Sequence, residues 1–235
     1  MNAREIFRKK RSAYILRGRF PWLHPQRIEK QSILDALISC RIDAKGVLLD
    51  IGCGEKPYQA VFDGYCSRYI GLDVTTSSGK PDIYGSAEEL PFRDNSFDTV
   101  LSIQALEHVR RPQVLFREAY RVLKKGGCLI LTAPMDWGIH EAPHDYYRFT
   151  RYGLSYLAAT AGFTQVTVKA RGGFWKMMGQ RLSNYLYYAG GRPRSAAAEA
   201  LKLFTCALVQ SSFVLLECLN KNEEDTLGYS MVARK

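Results

Sequence analysis

The chain has 235 residues, of which 46% are hydrophobic and 24% are charged. That length is sufficient for one domain with its own core, and the composition excludes a disordered or fibrous protein. The 33 lysines and arginines exceed the 23 acidic residues, giving a formal charge of +10. Such a surplus predicts an anionic partner or surface and carries no information about the fold.

The hydrophobic pattern predicts alternating helices and strands. Apolar residues at helical spacing predict a helix over 28–38, and short apolar runs predict strands over 46–51, 69–74 and 97–103. Residues 86–90 form a short helix or turn closed by Pro91. A helix over 112–125 is predicted to end at two glycines, followed by a strand over 128–133, a helix over 152–161 and strands over 164–169 and 227–233. This alternation indicates βαβ units and a mostly parallel sheet covered on both faces.

Residues 171–225 lie between the last two predicted strands, where the pattern predicts an inserted helical pair with a break at 190–193. The longest uncharged apolar run, 203–216, is too short for an ordinary membrane span and is typical of a buried or interfacial helix. We therefore expect a basic arm over 1–27, a core over 28–170, a helical insertion over 171–225 and a last core strand over 226–235.

Basic residues are concentrated in two segments. Residues 1–20 hold seven basic residues and one acid, and residues 146–198 hold eight basic residues and no acid. Aromatic residues lie among the second group, so the pattern predicts either solvated segments or a basic aromatic face for a phosphate-bearing acceptor, an anionic membrane surface or RNA. The six cysteines form no C-x-x-C pair and the N-terminus lacks the apolar run of a secretory signal, which predicts reduced thiols and a cytoplasmic protein.

The turn after the first predicted strand indicates the kind of ligand. Asp50 is followed by Gly52, Cys53 and Gly54, and glycine allows both a sharp turn and close approach of a ligand to the main chain. A dinucleotide fingerprint would need a third glycine where Pro57 stands, and no G-K-[ST] phosphate loop follows. The turn therefore predicts a nucleoside ligand with positive charge and no phosphate. Asp73, ending the second strand, is placed to accept hydrogen bonds from ribose hydroxyls.

Five ordered motifs then carry a family resemblance: D-I-G-C-G at 50–54, Asp73, G-S-A-E-E-L-P-F at 85–92, L-E-H-V at 106–109 and R-V-L-K-K-G-G at 121–127. From about residue 46 to 134, and more weakly to 163, the chain closely resembles the class I S-adenosylmethionine-dependent methyltransferases, in particular the methyltransferase type 11 group. The resemblance implies a Rossmann-like, seven-stranded, mostly parallel α/β sheet with an antiparallel last strand. It implies S-adenosylmethionine as cofactor and S-adenosylhomocysteine as product.

The same resemblance implies the cofactor-binding residues. These are Asp50, Gly52, Cys53, Gly54, Asp73, Val74, Ser86, Ala87, Glu88 and Gln104. Asp73 is expected at the ribose, residues 86–88 beside the adenine, and Gln104 at the methionine half; Val74 is included as the neighbour of Asp73. The family usually has aspartate where this chain has Ser86, so the adenine contact there is weaker or comes from the Ala87 backbone.

A second group of polar residues follows the fifth predicted strand, where loops commonly carry function. His140, His144 and Asp145 are the candidate catalytic residues: a histidine would take the proton of a hydroxyl or amine acceptor, and Asp145 or Glu141 would orient its ring. The run 140–144 also matches H-E-x-x-H, but Pro143 would cost about 3 kcal/mol inside the helix that a zinc protease needs. No metal site is therefore expected.

The acceptor is less well defined by the sequence. The favoured acceptor is a small molecule, a glycan or a lipid-linked molecule, with 171–225 as an acceptor-side lid and peripheral contact with an anionic membrane. The stretch H-x-x-P-H-D-Y-Y-R-F-T resembles methyltransferases associated with cell-surface polysaccharide assembly. An RNA methyltransferase using the basic arm and a non-catalytic S-adenosylmethionine-binding module are the alternatives, although no N-P-P-Y-type base-flipping motif stands at Gln104. Oligomeric state is left open.

Overall fold

The computed structural model describes residues 19–74, 81–188, 191 and 195–235. Most of the predicted basic arm, the helical break apart from Gly191, and the basic residues Arg192 and Arg194 lie outside these residues. The described helices are α1 Arg27–Cys40, α2 Pro112–Val122, α3 Arg151–Ala161, α4 Phe174–Tyr188 and α5 Ala196–Leu219. The strands are β1 Val47–Ile51, β2 Arg68–Asp73, β3 Ile83–Tyr84, β4 Phe97–Ile103, β5 Leu123–Pro134, β6 Gln165–Ala170 and β7 Gly228–Arg234.

The strands form one seven-stranded sheet in the order β3-β2-β1-β4-β5-β7-β6. The pairs β3–β2, β2–β1, β1–β4 and β4–β5 are parallel, whereas β7 runs antiparallel to both β5 and β6. The predicted fold class, a mostly parallel Rossmann-like sheet with an antiparallel last strand, is confirmed. The order reverses between β1 and β4, so loops after these two strands meet at the switch point where such sheets bind ligands.

Two apolar clusters cover the two faces of the sheet. One face packs α2 and α3 through residues such as Leu115, Phe116 and Leu154. The other packs α1 through Ile33, Leu34 and Leu37. These side chains are essentially inaccessible to solvent, so the sheet is buried on both sides, as a parallel sheet requires.

The boundary between α2 and β5 differs from the prediction. The helix was expected to continue to residue 125, but β5 already begins at Leu123, which pairs with Phe97. The ammonium of Lys235 donates to the carbonyls of Tyr120 (2.8 Å) and Leu123 (2.7 Å), so a distant lysine satisfies the end of α2. A Cβ on Gly127 would lie 2.9 Å from two backbone oxygens, which explains glycine there by close packing within the sheet.

The insertion forms the predicted helical pair and is docked on the start of α1. Gln26, at the N-cap of α1, makes no side-chain cap, and two glutamines of the insertion cap the helix instead. Gln210 of α5 accepts from Ile28 N (3.0 Å), and Gln180 of α4 accepts from Glu29 N (3.1 Å). Both amides also donate to the carbonyl of Pro25. These buried hydrogen bonds hold α4 and α5 to the core.

The helix α5 is longer than its uncharged run suggested. It has 24 residues and includes Lys202 and Glu217, and by length and composition it is the one helix in the described part of the chain that could cross a membrane. Its two faces differ strongly. Cys206, Gln210 and Glu217 are buried against the protein, whereas five large apolar side chains are exposed: Leu201, Phe204, Leu208, Leu215 and Leu219.

Candidate active site

The glycine turn after β1 adopts the geometry that close ligand approach needs. Gly52 and Gly54 have φ of +73° and +49°, and the amides of Gly52 and Cys53 both donate to Leu72 O. A Cβ on Gly52 would lie 2.5 Å from that of Ala105, so this glycine is required by packing. A Cβ on Gly54 would meet no atom within 4 Å, which leaves open space beside the main chain.

Asp73 is fixed to this turn, because its Oδ2 accepts from Gly54 N at 2.9 Å. The two acids therefore occupy different environments. Asp50 is buried, its Oδ2 accepts from the Tyr69 hydroxyl at 2.5 Å, and its Oδ1 has no partner among the described residues. Burial raises the pKa of Asp50 to about 7, with a further rise from Asp73. Burial likewise raises the pKa of Cys53 to about 12, so its thiol is inert.

The predicted adenine-side residues form a turn next to α2. Ser86 Oγ accepts from Glu88 N at 3.1 Å, and Ala87 packs on the core. The Glu88 carboxylate accepts from Arg111 N (2.9 Å) and Arg111 Nε (2.7 Å). Its charge is therefore used to fix the start of α2. Val74 is 73% exposed.

Gln104 directly follows β4 and has a strained backbone conformation. Its φ is +49°, its amide nitrogen donates to Thr132 O at 3.0 Å, and its side chain donates to Thr132 Oγ1 at 3.2 Å. Left-handed backbone at a non-glycine residue is uncommon and is concentrated at functional sites. The glycine turn, Asp73 and Gln104 thus lie at the carboxyl ends of adjacent strands. The open space at Gly54 and the absence of a phosphate loop fit S-adenosylmethionine.

The loop over 135–150 is held by Arg148. Its guanidinium donates to both carboxylate oxygens of Asp145 (2.7 and 2.9 Å) and to the carbonyls of Trp137 and Gly138 (3.1 and 3.0 Å). The Arg148 hydrogen bonds hold the pKa of Asp145 well below its usual range. Residues 140–144 form a turn and no helix, as the rejection of a zinc-protease motif requires.

Asp145 in turn orients His140. Asp145 Oδ2 accepts from His140 N at 3.0 Å and lies 3.3 Å from His140 Nδ1, which is also 3.1 Å from Gly138 O. Both neighbours of Nδ1 are acceptors, so Nδ1 carries the proton and Nε2 presents a lone pair. His144 has a different environment: it is exposed, and its Nδ1 lies 2.9 Å from the Tyr146 hydroxyl.

The structure adds two residues that the sequence analysis did not assign. Glu107 and His108 form a short 3-10 helix after Gln104, and the amides of Tyr146 and Tyr147 donate to Glu107 O, which brings the loop onto it. His108 Nε2 and His140 Nε2 lie 3.9 and 4.0 Å from Glu107 Oε1. Glu107 is fully buried, and burial raises its pKa to about 7. The signal in the sequence was the acid–histidine pair directly after the β4 tip.

A cavity of about 590 Å³ opens beside His140, between the loop and α4. Its walls include Trp137 and Ile139 from the loop, with Arg181, Asn184 and Tyr185 from α4. The insertion therefore borders the space next to the candidate catalytic loop. Aromatic rings combined with guanidinium and amide groups suit a hydroxylated ligand.

The predicted basic aromatic face over 146–198 is only partly present. Arg171 is completely buried, where Nη1 pairs with Glu29 Oε1 at 3.1 Å. Arg148 is held by Asp145, and Arg181 Nε lies 3.0 Å from Asp136 Oδ2. The prediction was wrong for Arg171, because the charge joins α1 to the insertion instead of facing a ligand.

Part of the chain is similar to known proteins. A family model described as a methyltransferase domain matches residues 49–131. An uncharacterised methyltransferase of Mycobacterium tuberculosis is 32% identical over 114 residues, covering 43% of this chain and 45% of that protein. A demethylmenaquinone methyltransferase of Oceanobacillus iheyensis is 28% identical over 135 residues, covering 49% and 57%. The chain thus spans about half the length of the curated relatives it matches.

Solved structures share the fold at low identity. A S-adenosylmethionine-dependent methyltransferase from Archaeoglobus fulgidus has a TM-score of 0.55 at 16% identity and covers 100% of both chains. Phosphoethanolamine N-methyltransferase 2 of Haemonchus contortus, in complex with S-adenosylmethionine, has a TM-score of 0.54 at 20% identity and covers 86% of this chain and 52% of that one. The [4+2]-cyclase SpnF also matches, with a TM-score of 0.56 at 21% identity over 88% and 82%. Residues 49–131 are thus similar to a methyltransferase domain, and the sheet order and the solved structures show that the chain has the Rossmann-like fold of the class I S-adenosylmethionine-dependent methyltransferases.

Proposed function

We propose that the chain transfers a methyl group from S-adenosylmethionine to a small, hydroxylated acceptor, a glycan or its lipid-linked form. The observations that carry this proposal are two spaces, one beside the glycine turn after β1 and one beside the loop after β5. Open space at Gly54 lies beside Asp73, and the 590 Å³ cavity lies beside His140 on the loop after β5. When bound, S-adenosylmethionine supplies a methyl group already activated as a sulfonium substituent.

The residues of the chain then have three tasks. Asp73 holds the ribose, the glycine turn admits the cofactor to the main chain, and Gln104 borders its methionine half. The cavity residues Trp137, Arg181 and Tyr185 align the acceptor, since methyl transfer from an activated donor mainly requires alignment.

An acceptor hydroxyl must lose its proton, and His140 is our candidate base. Asp145 keeps the proton on Nδ1, which leaves Nε2 to accept one. His144 remains a second candidate; its Nδ1 lies 2.9 Å from the Tyr146 hydroxyl, which accepts from Arg110 Nε. His140 Nε2 can act as this base only while it is not bound to a metal ion.

Variants at the two histidines test this base. We expect His140→Ala and His144→Ala to keep an S-adenosylmethionine affinity near that of the unchanged protein, while turnover falls by about 10²-fold for His140→Ala and less for His144→Ala. Isothermal calorimetry measures the affinity, and steady-state methyl transfer measures the turnover. Full turnover in both variants would exclude a histidine base.

The acceptor itself is identified by transfer of labelled methyl into a cell extract, followed by separation into organic-soluble, polysaccharide, RNA, protein and small-molecule fractions. Label in the small-molecule, polysaccharide or organic-soluble fraction supports the proposal. Label released by RNase would instead identify an RNA methyltransferase. Cofactor binding with no label in any fraction would favour a non-catalytic binding module.

Location at the cytoplasmic surface of an anionic membrane is part of the same proposal. The exposed apolar face of α5 continues into Trp22, whose ring packs edge-on against Phe204 at 5.7 Å and whose Nε1 donates to Ser211 Oγ at 2.9 Å. In the sequence, the strongly basic segment 1–20 directly precedes this part of the chain. An apolar helix face next to a polybasic segment is typical of proteins that lie on a membrane.

A further inference from the structure

Three side chains with lone-pair donor atoms lie close together, and one of them, His140, lines the acceptor cavity. Glu107 Oε1 lies 3.9 Å from His108 Nε2 and 4.0 Å from His140 Nε2, and one ligand atom from each residue lies within 4.8 Å of the other two. Neither carboxylate oxygen of the fully buried Glu107 has a hydrogen-bond partner among the described residues. A buried carboxylate in this state lacks the compensation that such groups normally have.

Oxygen atoms next to the Nδ1 atoms of His108 and His140 determine which ring nitrogen carries the proton. His108 Nδ1 is 2.8 Å from His144 O, and His140 Nδ1 faces Gly138 O and Asp145 Oδ2. Because carbonyl and carboxylate oxygens can only accept, each Nδ1 carries its proton and each Nε2 is a lone pair facing Glu107. Histidines that ligate metals show this arrangement, with the outer N–H bound to a carbonyl or carboxylate.

We propose that Glu107, His108 and His140 bind a divalent first-row transition-metal ion, in a two-histidine, one-carboxylate site whose open positions face the acceptor cavity. That ligand set suits such ions and leaves positions for substrate oxygen. Bonds of about 2.1 Å place neighbouring ligands of a tetrahedral ion about 3.4 Å apart, so the observed 3.9 and 4.0 Å separations need a closure of roughly half an ångström.

The surroundings are consistent with a bound cation. The side chain of Glu141 is exposed, and its Oε2 lies 3.9 Å from His108 Nε2. This oxygen can supply a fourth ligand to the ion. His140 also lines the cavity, so an ion at this point would contact an acceptor oxygen. That last step, activation of the acceptor by the ion, rests on the proposed function, whereas the ion site does not.

Metal binding to the full chain tests the site directly, with Mn²⁺ and Co²⁺ as probes. After chelation and gel filtration, we expect one Co²⁺ per chain by elemental mass spectrometry, and at least about tenfold weaker binding in His108→Ala and His140→Ala. His144→Ala is the matched control, because it removes a ring from the same loop and keeps the carbonyl that accepts from His108. It is expected to bind like the unchanged protein.

Two further readouts make the result decisive. The near-ultraviolet spectrum of bound Co²⁺ should lack a thiolate charge-transfer band, since the six free cysteines could otherwise hold the ion. Calorimetric S-adenosylmethionine binding reports whether each variant is folded; if Glu107→Gln does not fold, the histidine variants carry the test. No stoichiometric ion, or equal binding by the His108→Ala/His140→Ala double variant, would overturn the site.

The site and the proposed function fail separately. A chain that binds the ion but labels no acceptor fraction would contradict the proposed function and leave the ion site standing. Undiminished methyl transfer by the ion-free protein, with no ion bound on addition of Co²⁺ or Mn²⁺, would contradict the ion site and support His140 as the base.

Discussion

At the scale of single residues, two glycines of one turn serve different purposes. Gly52 and Gly54 both have left-handed φ, but only Gly52 lies against another side chain, that of Ala105. Gly54 faces open space, as does Gly64, which has φ of +82° in a turn outside the proposed cofactor site. All three glycines have left-handed backbone, Gly52 is in addition required by packing, and Gly54 lies beside the space proposed for the ligand.

We expect Gly54→Ala to destabilise the fold by about 1 kcal/mol, since left-handed backbone costs a residue with a Cβ roughly that amount. Its S-adenosylmethionine affinity should fall at least tenfold, because the methyl group enters the proposed cofactor space. Gly64→Ala is the control, with a similar loss of stability and unchanged affinity. Urea unfolding and calorimetry measure the two quantities; equal affinities in both variants would move the cofactor away from Gly54.

Asp50 predicts a pH dependence of stability. Burial raises its pKa to about 7 in the folded chain, above the value of an exposed aspartate. From about pH 4 to 7 the unfolded state therefore loses this proton first, and the free energy of unfolding declines as pH rises. Asp50→Asn keeps an oxygen acceptor for Tyr69 and should weaken this decline in urea unfolding series across that range. An unchanged slope would show that Asp50 ionises normally in the fold.

At the scale of elements, the local sequence pattern was sufficient to predict the bounds of those helices and strands whose ends are determined by nearby residues. The bounds of β4 agree with the prediction, and Gly162 ends α3 with φ of +105°, as a C-terminal glycine should. The two-residue strand β3 was not assigned, because a strand that short has no periodicity. The α2–β5 boundary was misplaced because Lys235, distant in sequence, satisfies the helix end.

The candidate site shows the same division. Asp50, the glycine turn and Asp73 follow from residues near strand ends, which the pattern locates. The cluster of Glu107, His108 and His140 could not be predicted, since it depends on the amides of Tyr146 and Tyr147 bonding to Glu107 O across the sheet edge. Likewise, Arg171 looked like part of a basic face until its buried contact with Glu29 was known.

The glutamine caps predict how the insertion is attached. Gln210→Leu has a similar volume but leaves Ile28 N without its acceptor and removes the hydrogen bonds to His24 O and Pro25 O, so the free energy of unfolding should fall by about 1–3 kcal/mol. Ser212→Ala, on the exposed side of the same helix, should change it by less than about 0.5 kcal/mol. Urea unfolding compares them, and limited proteolysis should cleave 171–225 faster in Gln210→Leu. Equal stability of the two variants would show that α5 is held by apolar packing alone.

At the scale of the whole molecule, a strongly basic segment precedes, in the sequence, a residue that lies on an exposed apolar surface. The formal charge of +10 includes a net +6 in residues 1–20, and the chain after that segment leads into Trp22 on the exposed face of α5. The opposite face of α5 is occupied by Gln210 and Glu217, which bond to α1 and α4. In the proposed function, a helix held in this way would lie on a membrane and keep the acceptor cavity close to a lipid-linked substrate.

Vesicle sedimentation tests this arrangement on the full chain. Vesicles with anionic lipid should pull the protein down at low salt and release it at high salt, because screening weakens the attraction of the basic segment. Leu208→Ser/Leu215→Ser removes two exposed apolar side chains and should reduce binding even at low salt, while Lys9→Glu/Lys10→Glu should reduce it and flatten its salt dependence. Ser212→Ala, on the same exposed face of α5, is the matched control and should leave vesicle binding unchanged. The exposed leucines contribute through area buried in lipid and the lysines through charge. The loss of binding caused by the leucine pair and the loss caused by the lysine pair should therefore add when the two variants are combined. Sedimentation that depends on neither salt nor the two leucines would remove the membrane from the proposed function and leave the exposed face of α5 to another partner.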